Sequence, residues 1–143
     1  FYPVGSKQLT GCKVKEITDG LSKTIMATEI ALVLDTEGTS LGAGYDMRGL
    51  YWNNAHMNTL AVTARPPNAS AGDVIGWSCR NIDFAPCASS STSGNVMTPR
   101  SRHPGGAHCL FADGSVSFVT NTINADTFQH LGTKAVGEVA SVP

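Results

Sequence analysis

Apolar and polar residues alternate most clearly in the C-terminal third of the chain. Ala107 to Ala112 alternates and is half apolar, and the alternation resumes from Val116 to Thr120. A period of two residues is typical of strands that bury one face. Asp113-Gly114 lies between the segments, and Asp-Gly favours a type I′ turn with positive φ at both central residues. The pattern predicts a β-hairpin.

A short helix is predicted after the hairpin. Residues Ala125 to Leu131 suit one or two helical turns. Asn124 is a favourable N-cap, because its side-chain oxygen can accept a hydrogen bond from a free backbone N–H group. Gly132 is suited to end the helix.

Three earlier segments are predicted to be strands. Val14 to Ile17 is a short one. Ile25 to Leu34 is a nearly continuous apolar run interrupted by Glu29, and its β-branched residues and length favour a buried strand over a helix. Leu60 to Thr63 is a further short strand, ended by Pro66-Pro67.

Thr18 to Thr24 is predicted to form a capped helical turn, with Thr18 or Asp19 as the residue that caps it. Strands therefore dominate and helices are short. This balance predicts an α+β fold built on an antiparallel β-sheet.

Length and charge restrict the class of protein. The 143 residues fit one domain spanning 1–143. Ten Lys plus Arg and eleven Asp plus Glu nearly cancel, without a run of like charge, so nucleic acid is not an expected partner. No apolar run reaches the roughly 18 residues that a membrane helix needs. A surface with few charges is more usual in secreted or assembled proteins.

Cys12, Cys79, Cys87 and Cys109 allow three complete pairings. Cys79 and Cys87 lie eight residues apart across a polar loop, and a disulfide between them is expected in an oxidising compartment. A zinc site would need closer cysteine spacing and a second pair of ligands. Cys109 lies in an apolar strand and is predicted to be a small core residue.

Catalytic and metal-binding chemistry receives little support. Ser101, His103 and Asp113 are a conceivable hydrolase triad, but the chain has no Gly-x-Ser-x-Gly elbow, so we predict no enzyme. The histidines lack the helical spacing of paired ligands, and no metal site or cofactor is predicted. They are His56, His103, His108 and His130. Calcium held by loop aspartates remains an alternative; the candidates are Asp19, Asp46, Asp73 and Asp113.

The segment His103-Pro104-Gly105-Gly106 favours a structural role. Proline biases His103 towards an extended conformation, and the two glycines allow a turn or a close approach of another strand. We expect His103 to donate a hydrogen bond to a backbone carbonyl or to Asp113 and so to fasten the start of the hairpin.

His103, followed after nine residues by Asp113-Gly114, resembles the signature of the bacterial prepilin-type family with a C-terminal His-x9-Asp-Gly domain, also catalogued as domain of unknown function 1559. Other segments resemble the same family in the same order: Ile17 to Met26 with Glu29 after it, Pro66 to Ser70, Cys79 with Pro86-Cys87, and Thr127 to Thr133. The resemblance covers nearly the whole chain. Phe128 stands where the family usually has Trp. The motif residues expected to be structural are His103, Gly105, Gly106, Asp113, Gly114, Asp19, Gly20 and Glu29.

The resemblance implies an exported β-rich domain of type IV pilin or pseudopilin character, which in the family follows a cleavable leader and an apolar helix. Phe1 to Ser6 cannot be that helix, because Pro3 and Gly5 break it. The chain therefore resembles the C-terminal portion, and a membrane would be reached only through a missing N-terminal helix. An old label of the family as solute-binding proteins also exists.

Two functions are carried forward. The first is an extracellular or envelope structural subunit of a bacterial filament, pseudopilus or surface assembly, with copies of itself or other envelope proteins as partners. The alternative is an extracellular module that binds a small ligand or glycan. Sugar sites use exposed aromatic residues, and the candidates are Tyr45, Tyr51, Trp52 and Trp77.

Overall fold

A computed structural model describes residues 11–42, 44–49, 60–76, 78–89 and 96–137. These residues form two 3₁₀ helices, Val14–Glu16 and Leu21–Lys23, and one α-helix, α1 (Ala125–Leu131). The strands are β1 (Ile25–Thr28), β2 (Thr39–Gly42), β3 (Asp73–Ile75), β4 (Ser78–Asn81), β5 (Cys87–Ser89), β6 (Gly106–Phe111) and β7 (Val116–Thr120). No described helix has the length and apolar character needed to cross a membrane.

The strands pair into small sheets. An antiparallel sheet has the order β1-β6-β7, and β2 pairs with β4 in the same antiparallel sense. β3 and β5 form a parallel pair. The predicted α+β class with an antiparallel sheet is confirmed, and the parallel pair is an addition that local patterns did not indicate.

The β6–β7 hairpin is confirmed, but the predicted type I′ turn is wrong. Gly114 has a φ of 88°, whereas Asp113 is not in the positive-φ region. The Gly114 N–H donates to the Phe111 carbonyl at 2.9 Å, and the Phe111 N–H donates to the Ser115 carbonyl at 2.9 Å. This is a three-residue loop that ends on a left-handed glycine. The carboxylate of Asp113 accepts the Ser115 N–H at 2.9 Å, an Asx-type contact that stabilises this turn.

Helix α1 has the predicted bounds. The Asn124 side chain accepts a hydrogen bond from the Thr127 N–H at 3.0 Å, so the predicted N-cap is confirmed. Gly132 ends the helix with a φ of −91°, so it is not required for a left-handed turn. Glycine is needed there because a Cβ atom would overlap the Thr63 side chain.

The predictions for residues 14–24 are only partly confirmed. Val14–Glu16 is an exposed 3₁₀ helix and not a strand, because none of its residues is buried against a sheet. The helical turn is only Leu21–Lys23, and it follows Gly20, without a side-chain cap from Thr18 or Asp19. Asp19 instead accepts hydrogen bonds from the distant C-terminal segment.

The long strand predicted for Ile25 to Leu34 ends at Thr28. The cause is Glu29, whose side-chain carboxylate accepts the N–H of His108 at 2.7 Å. That N–H would otherwise be available for a ladder hydrogen bond. The strand predicted for Leu60 to Thr63 is also wrong, because Val62 makes one backbone hydrogen bond to Met97 there and no strand ladder is present.

Buried apolar residues of the described ranges group into three clusters. The first lies between the β1-β6-β7 sheet and helix α1 and consists of Cys109, Phe111, Val119, Phe128 and Leu131. The second surrounds the β3-β5 pair and contains Met47, Ile75, Cys79, Cys87 and Met97. The third contains Ala31, Val33 and Ala85. Cys109 is fully buried in the first cluster, as predicted.

Candidate functional site

Two arginines and two aspartates form a buried ionic network beside strand β3. Each of Arg48, Arg100, Asp46 and Asp73 is at most 2% exposed. Arg48 binds Asp46 through Nε and Nη2, at 3.1 and 2.7 Å, and reaches Asp73 through Nη1 at 2.9 Å. Arg100 binds both oxygens of Asp73, at 3.0 and 3.1 Å. The formal charges of the four side chains cancel.

Both guanidinium groups also donate hydrogen bonds to backbone carbonyls. Arg48 donates to the carbonyls of Ala85 and Arg80 at 3.0 and 2.8 Å. Arg100 donates to the carbonyls of Ala69 and Ala71 at 3.0 and 3.1 Å. Burial lowers the pKa of Arg48, but the neighbouring carboxylates outweigh it and the net direction is upward. The network therefore connects the segments that contain Arg48 and Arg100, which lie outside the strands, to strands β3 and β4.

The calcium alternative finds no support in these contacts. Asp46 and Asp73 are neutralised by arginines. Asp19 accepts the Val136 and Gly137 N–H groups at 3.0 and 2.8 Å, and Asp113 accepts the N–H and hydroxyl of Ser115. Sequence analysis missed Arg48 and Arg100, because the chain around them has no pattern that distinguishes a buried arginine from an exposed one.

A second polar centre lies at the surface, where Glu29 meets two histidines. Glu29 directly follows β1, His108 lies in β6, and His103 lies in the loop that leads into β6. His103 Nε2 is 3.3 Å from Glu29 Oε1, and His108 Nδ1 is 3.5 Å from Glu29 Oε2. The two imidazole centroids are 4.8 Å apart, edge to face. One carboxylate thus lies between two imidazole nitrogens.

Neighbouring residues hold this centre in position. The Ser101 hydroxyl accepts the His103 N–H at 3.1 Å, and Asn68 in turn accepts the Ser101 N–H at 2.9 Å. The His108 ring packs edge-on against Phe118, with centroids 5.1 Å apart. Its backbone N–H also bonds the carboxylate. The cluster is therefore anchored by backbone as well as side-chain contacts.

The electrostatics of Glu29 favour its charged form. Partial burial raises the pKa of this carboxyl, but several groups together outweigh that effect and bring the pKa below its ordinary value. They are the His108 N–H, the Ser101 hydroxyl and the two imidazoles. The side chains remain accessible, with exposed fractions of 34% for Glu29, 54% for His103 and 44% for His108.

His103 and Asp113 do not contact each other. Six-residue β6 separates the His103 loop from the turn that contains Asp113, so the predicted fastening of the hairpin by this pair is wrong. His103 instead contacts Glu29. Asp113 is hydrogen-bonded to the hydroxyl and N–H of Ser115, and these contacts lower the pKa of its carboxyl group. The candidate triad of Ser101, His103 and Asp113 is not assembled.

The predicted glycines of the motif have distinct geometric roles. Gly105 has a φ of 86° and turns the chain into β6. Gly106 lies so close to β7 that a Cβ atom would overlap the Val119 carbonyl oxygen and approach the Phe118 ring. Gly20 has a φ of 105° directly before the 3₁₀ helix Leu21–Lys23.

The predicted disulfide between Cys79 and Cys87 is present and joins β4 to β5. Cys12 is exposed and Cys109 is buried, and neither is oxidised. Among the aromatic candidates for glycan binding, Tyr45 is 41% exposed. Tyr51, Trp52 and Trp77 lie outside the described residues, as does His56, so glycan binding stays a prediction.

Fold and contacts together define a small, disulfide-bonded α+β domain in which buried charges hold loops together. The family model described as "Protein of unknown function (DUF1559)" matches residues 4–126, and the chain belongs to that family. The predicted family membership is thus confirmed. Searches of curated proteins and of solved structures find no match.

Proposed function

We propose that this domain is the globular part of an exported, pilin-like structural subunit of a bacterial envelope or surface assembly. Its partners would be copies of itself or other envelope proteins. Family membership and the Cys79–Cys87 disulfide support this proposal, because disulfides persist in oxidising compartments outside the cytosol. The observation that carries it is an apolar groove beside β1.

This groove, of about 460 Å³, runs along all four residues of β1 and along residues 60–64. Its lining is mostly aliphatic and includes Met26, Ile30 and Leu60. Met26 is 63% exposed and Leu60 41% exposed. Among the described strands, β1 pairs only with β6 and so forms one edge of its sheet. A strand edge beside exposed apolar surface is a common place for another chain to bind.

The buried charged residues also support a structural role. Four buried side chains pair with one another in the interior: Asp46, Asp73, Arg48 and Arg100. Each small sheet can bury only a limited apolar area. Ion pairs that connect separate segments of the chain therefore help to hold the folded structure of such a subunit together.

Two matched substitutions test the proposal in the full-length protein from its native envelope. Met26→Lys places a charge in the groove, and Leu34→Lys places one at a site of similar exposure outside it, 57% against 63%. We expect Met26→Lys to reduce co-sedimentation and cross-linking with assembly partners at least tenfold, and Leu34→Lys to preserve both.

A native protein found as a monomer in the cytosolic fraction would overturn the proposal. Equal losses for the two lysine variants, with circular dichroism unchanged, would exclude the groove as the contact.

A further inference from the structure

We propose that Glu29, His103 and His108 form a binding site for a divalent transition metal ion, with Zn²⁺ as the best-suited ion. One ligand atom from each residue lies within 4.8 Å of the other two. Two imidazoles and one carboxylate are a donor set that zinc uses in proteins. None of the three residues lines the groove beside β1, and the metal proposal does not depend on the assembly proposal.

The spacing of the donors fits a zinc ion. With zinc–ligand bonds of about 2.0 to 2.2 Å in a tetrahedral arrangement, neighbouring ligand atoms lie about 3.3 to 3.6 Å apart. The His103 Nε2–Glu29 Oε1 and His108 Nδ1–Glu29 Oε2 distances are 3.3 and 3.5 Å. These two contacts use different carboxylate oxygens, and one ligand atom from each of the three residues lies within 4.8 Å of the other two. An ion bound to all three would therefore draw the donors together by about 1 Å.

The supporting contacts resemble those that hold metal ligands in general. Such ligands are oriented by hydrogen bonds from a second layer of residues. Here the His108 N–H and the Ser101 hydroxyl bind the Glu29 carboxylate. Asn68 fixes the Ser101 backbone, and the Phe118 ring supports His108.

The exposure of the cluster leaves room for further ligands. His103 and His108 are about half exposed, so water or a group from another molecule can complete the coordination. Three protein ligands with an open position is the pattern of accessible zinc sites rather than closed structural ones. Sequence spacing did not indicate this site, because its carboxylate comes from a residue 79 positions away from His108.

Isothermal titration calorimetry with ZnCl₂ tests the site in untagged protein that carries Cys12→Ser, so that the exposed thiol does not compete. We expect one ion per chain. His103→Ala, His108→Ala and Glu29→Gln should each weaken binding at least tenfold. Glu29→Gln retains a carbonyl acceptor for the His108 N–H, so its fold should persist. His130→Gln, outside the cluster, should bind as the parent does.

Circular dichroism of each variant separates loss of binding from loss of folding. A rise in Tm with added Zn²⁺ in the parent, and a smaller rise in the cluster variants, is expected because a ligand that binds the folded state stabilises it. Absence of binding at about 1 mM Zn²⁺, a concentration at which a site with a Kd of that order would be half occupied, would overturn the proposal. Binding that folded His103→Ala and His108→Ala variants retain in full would overturn it equally.

Discussion

The guanidinium of Arg100 binds the carboxylate of Asp73 through two hydrogen bonds, from Nε to Oδ2 at 3.0 Å and from Nη2 to Oδ1 at 3.1 Å, and both side chains are 1% exposed. Two-point contact with a planar guanidinium is the strongest form of carboxylate pairing. Asp73 also binds Arg48 and the Thr98 N–H. One buried carboxylate therefore connects strand β3 to Arg48 and to the segment 98–100.

Replacing Arg100 by methionine should strongly destabilise the fold. Arg100→Met leaves Asp73 with a single arginine partner, Arg48, and removes the donors to the Ala69 and Ala71 carbonyls. Breaking a buried pair by removing one partner costs about 3–5 kcal/mol. The measurement is the free energy of unfolding in urea, followed by circular dichroism.

Arg102 is the matched control for that substitution. It is 67% exposed, lies 4.0 Å from Glu37 and stacks over the Phe84 ring at 4.8 Å. Such exposed contacts contribute at most about 1 kcal/mol each, so Arg102→Met should change stability far less than Arg100→Met. Equal losses for the two variants would contradict the assigned role of the network.

The hairpin turn should be sensitive to a methyl group at Gly114. Its φ of 88° is unfavourable for any residue with a Cβ atom, so Gly114→Ala should destabilise the protein by about 1–2 kcal/mol. Gly11→Ala is the control, because a Cβ there meets no neighbouring atom and no positive φ is required. Thermal melting of both variants measures the difference, and an unchanged Tm for Gly114→Ala would refute the left-handed turn.

Removing the disulfide should destabilise the native state by a calculable amount. For cysteines separated by 8 residues, the loop-closure model gives about 2.5 kcal/mol. Urea unfolding of Cys79→Ala/Cys87→Ala measures this loss. Dithiothreitol should lower the stability of the parent protein by a similar amount and leave the double variant unaffected. If dithiothreitol still lowered the stability of the double variant, the stabilising disulfide would not be the one between Cys79 and Cys87.

Acid should weaken the contact between Asp19 and the C-terminal segment. The N–H groups of Val136 and Gly137, with the Thr133 hydroxyl, lower the pKa of Asp19 below its ordinary 3.8. A carboxyl with a lowered pKa stabilises the folded state above its unfolded pKa, and this contribution disappears as the pH falls through the folded pKa. The unfolding free energy should therefore decrease as the pH falls below about 4.

Asp19→Asn tests this assignment, because asparagine keeps an acceptor oxygen but does not titrate. The variant should show a smaller decrease in unfolding free energy between pH 5 and about 2.5 than the parent shows. If the unfolding free energies of the two proteins decreased by the same amount over this pH range, the Asp19 contacts would not contribute to acid sensitivity.

Local patterns predicted the elements whose hydrogen bonds join neighbours in the chain. The β6–β7 hairpin and helix α1 follow from alternation, a glycine-containing turn and an Asn cap, all of which act within a few residues. The same patterns failed for the segment from Ile25 to Leu34, because the carboxylate of Glu29 takes a hydrogen bond that would otherwise extend β1. A side chain that competes with the backbone is not visible in an apolar pattern.

Residues close together in the chain were enough to predict the hairpin, helix α1 and the Cys79–Cys87 bond. Motifs and elements spread along the chain indicated the family and the α+β class. No local pattern predicted that Glu29 contacts two histidines or that Asp73 pairs with Arg100, 27 residues away. Burial makes an ionic partner necessary for Asp73, but the folded path of the backbone determines that Arg100 supplies it. The same path brings Glu29 beside the two histidines at the surface.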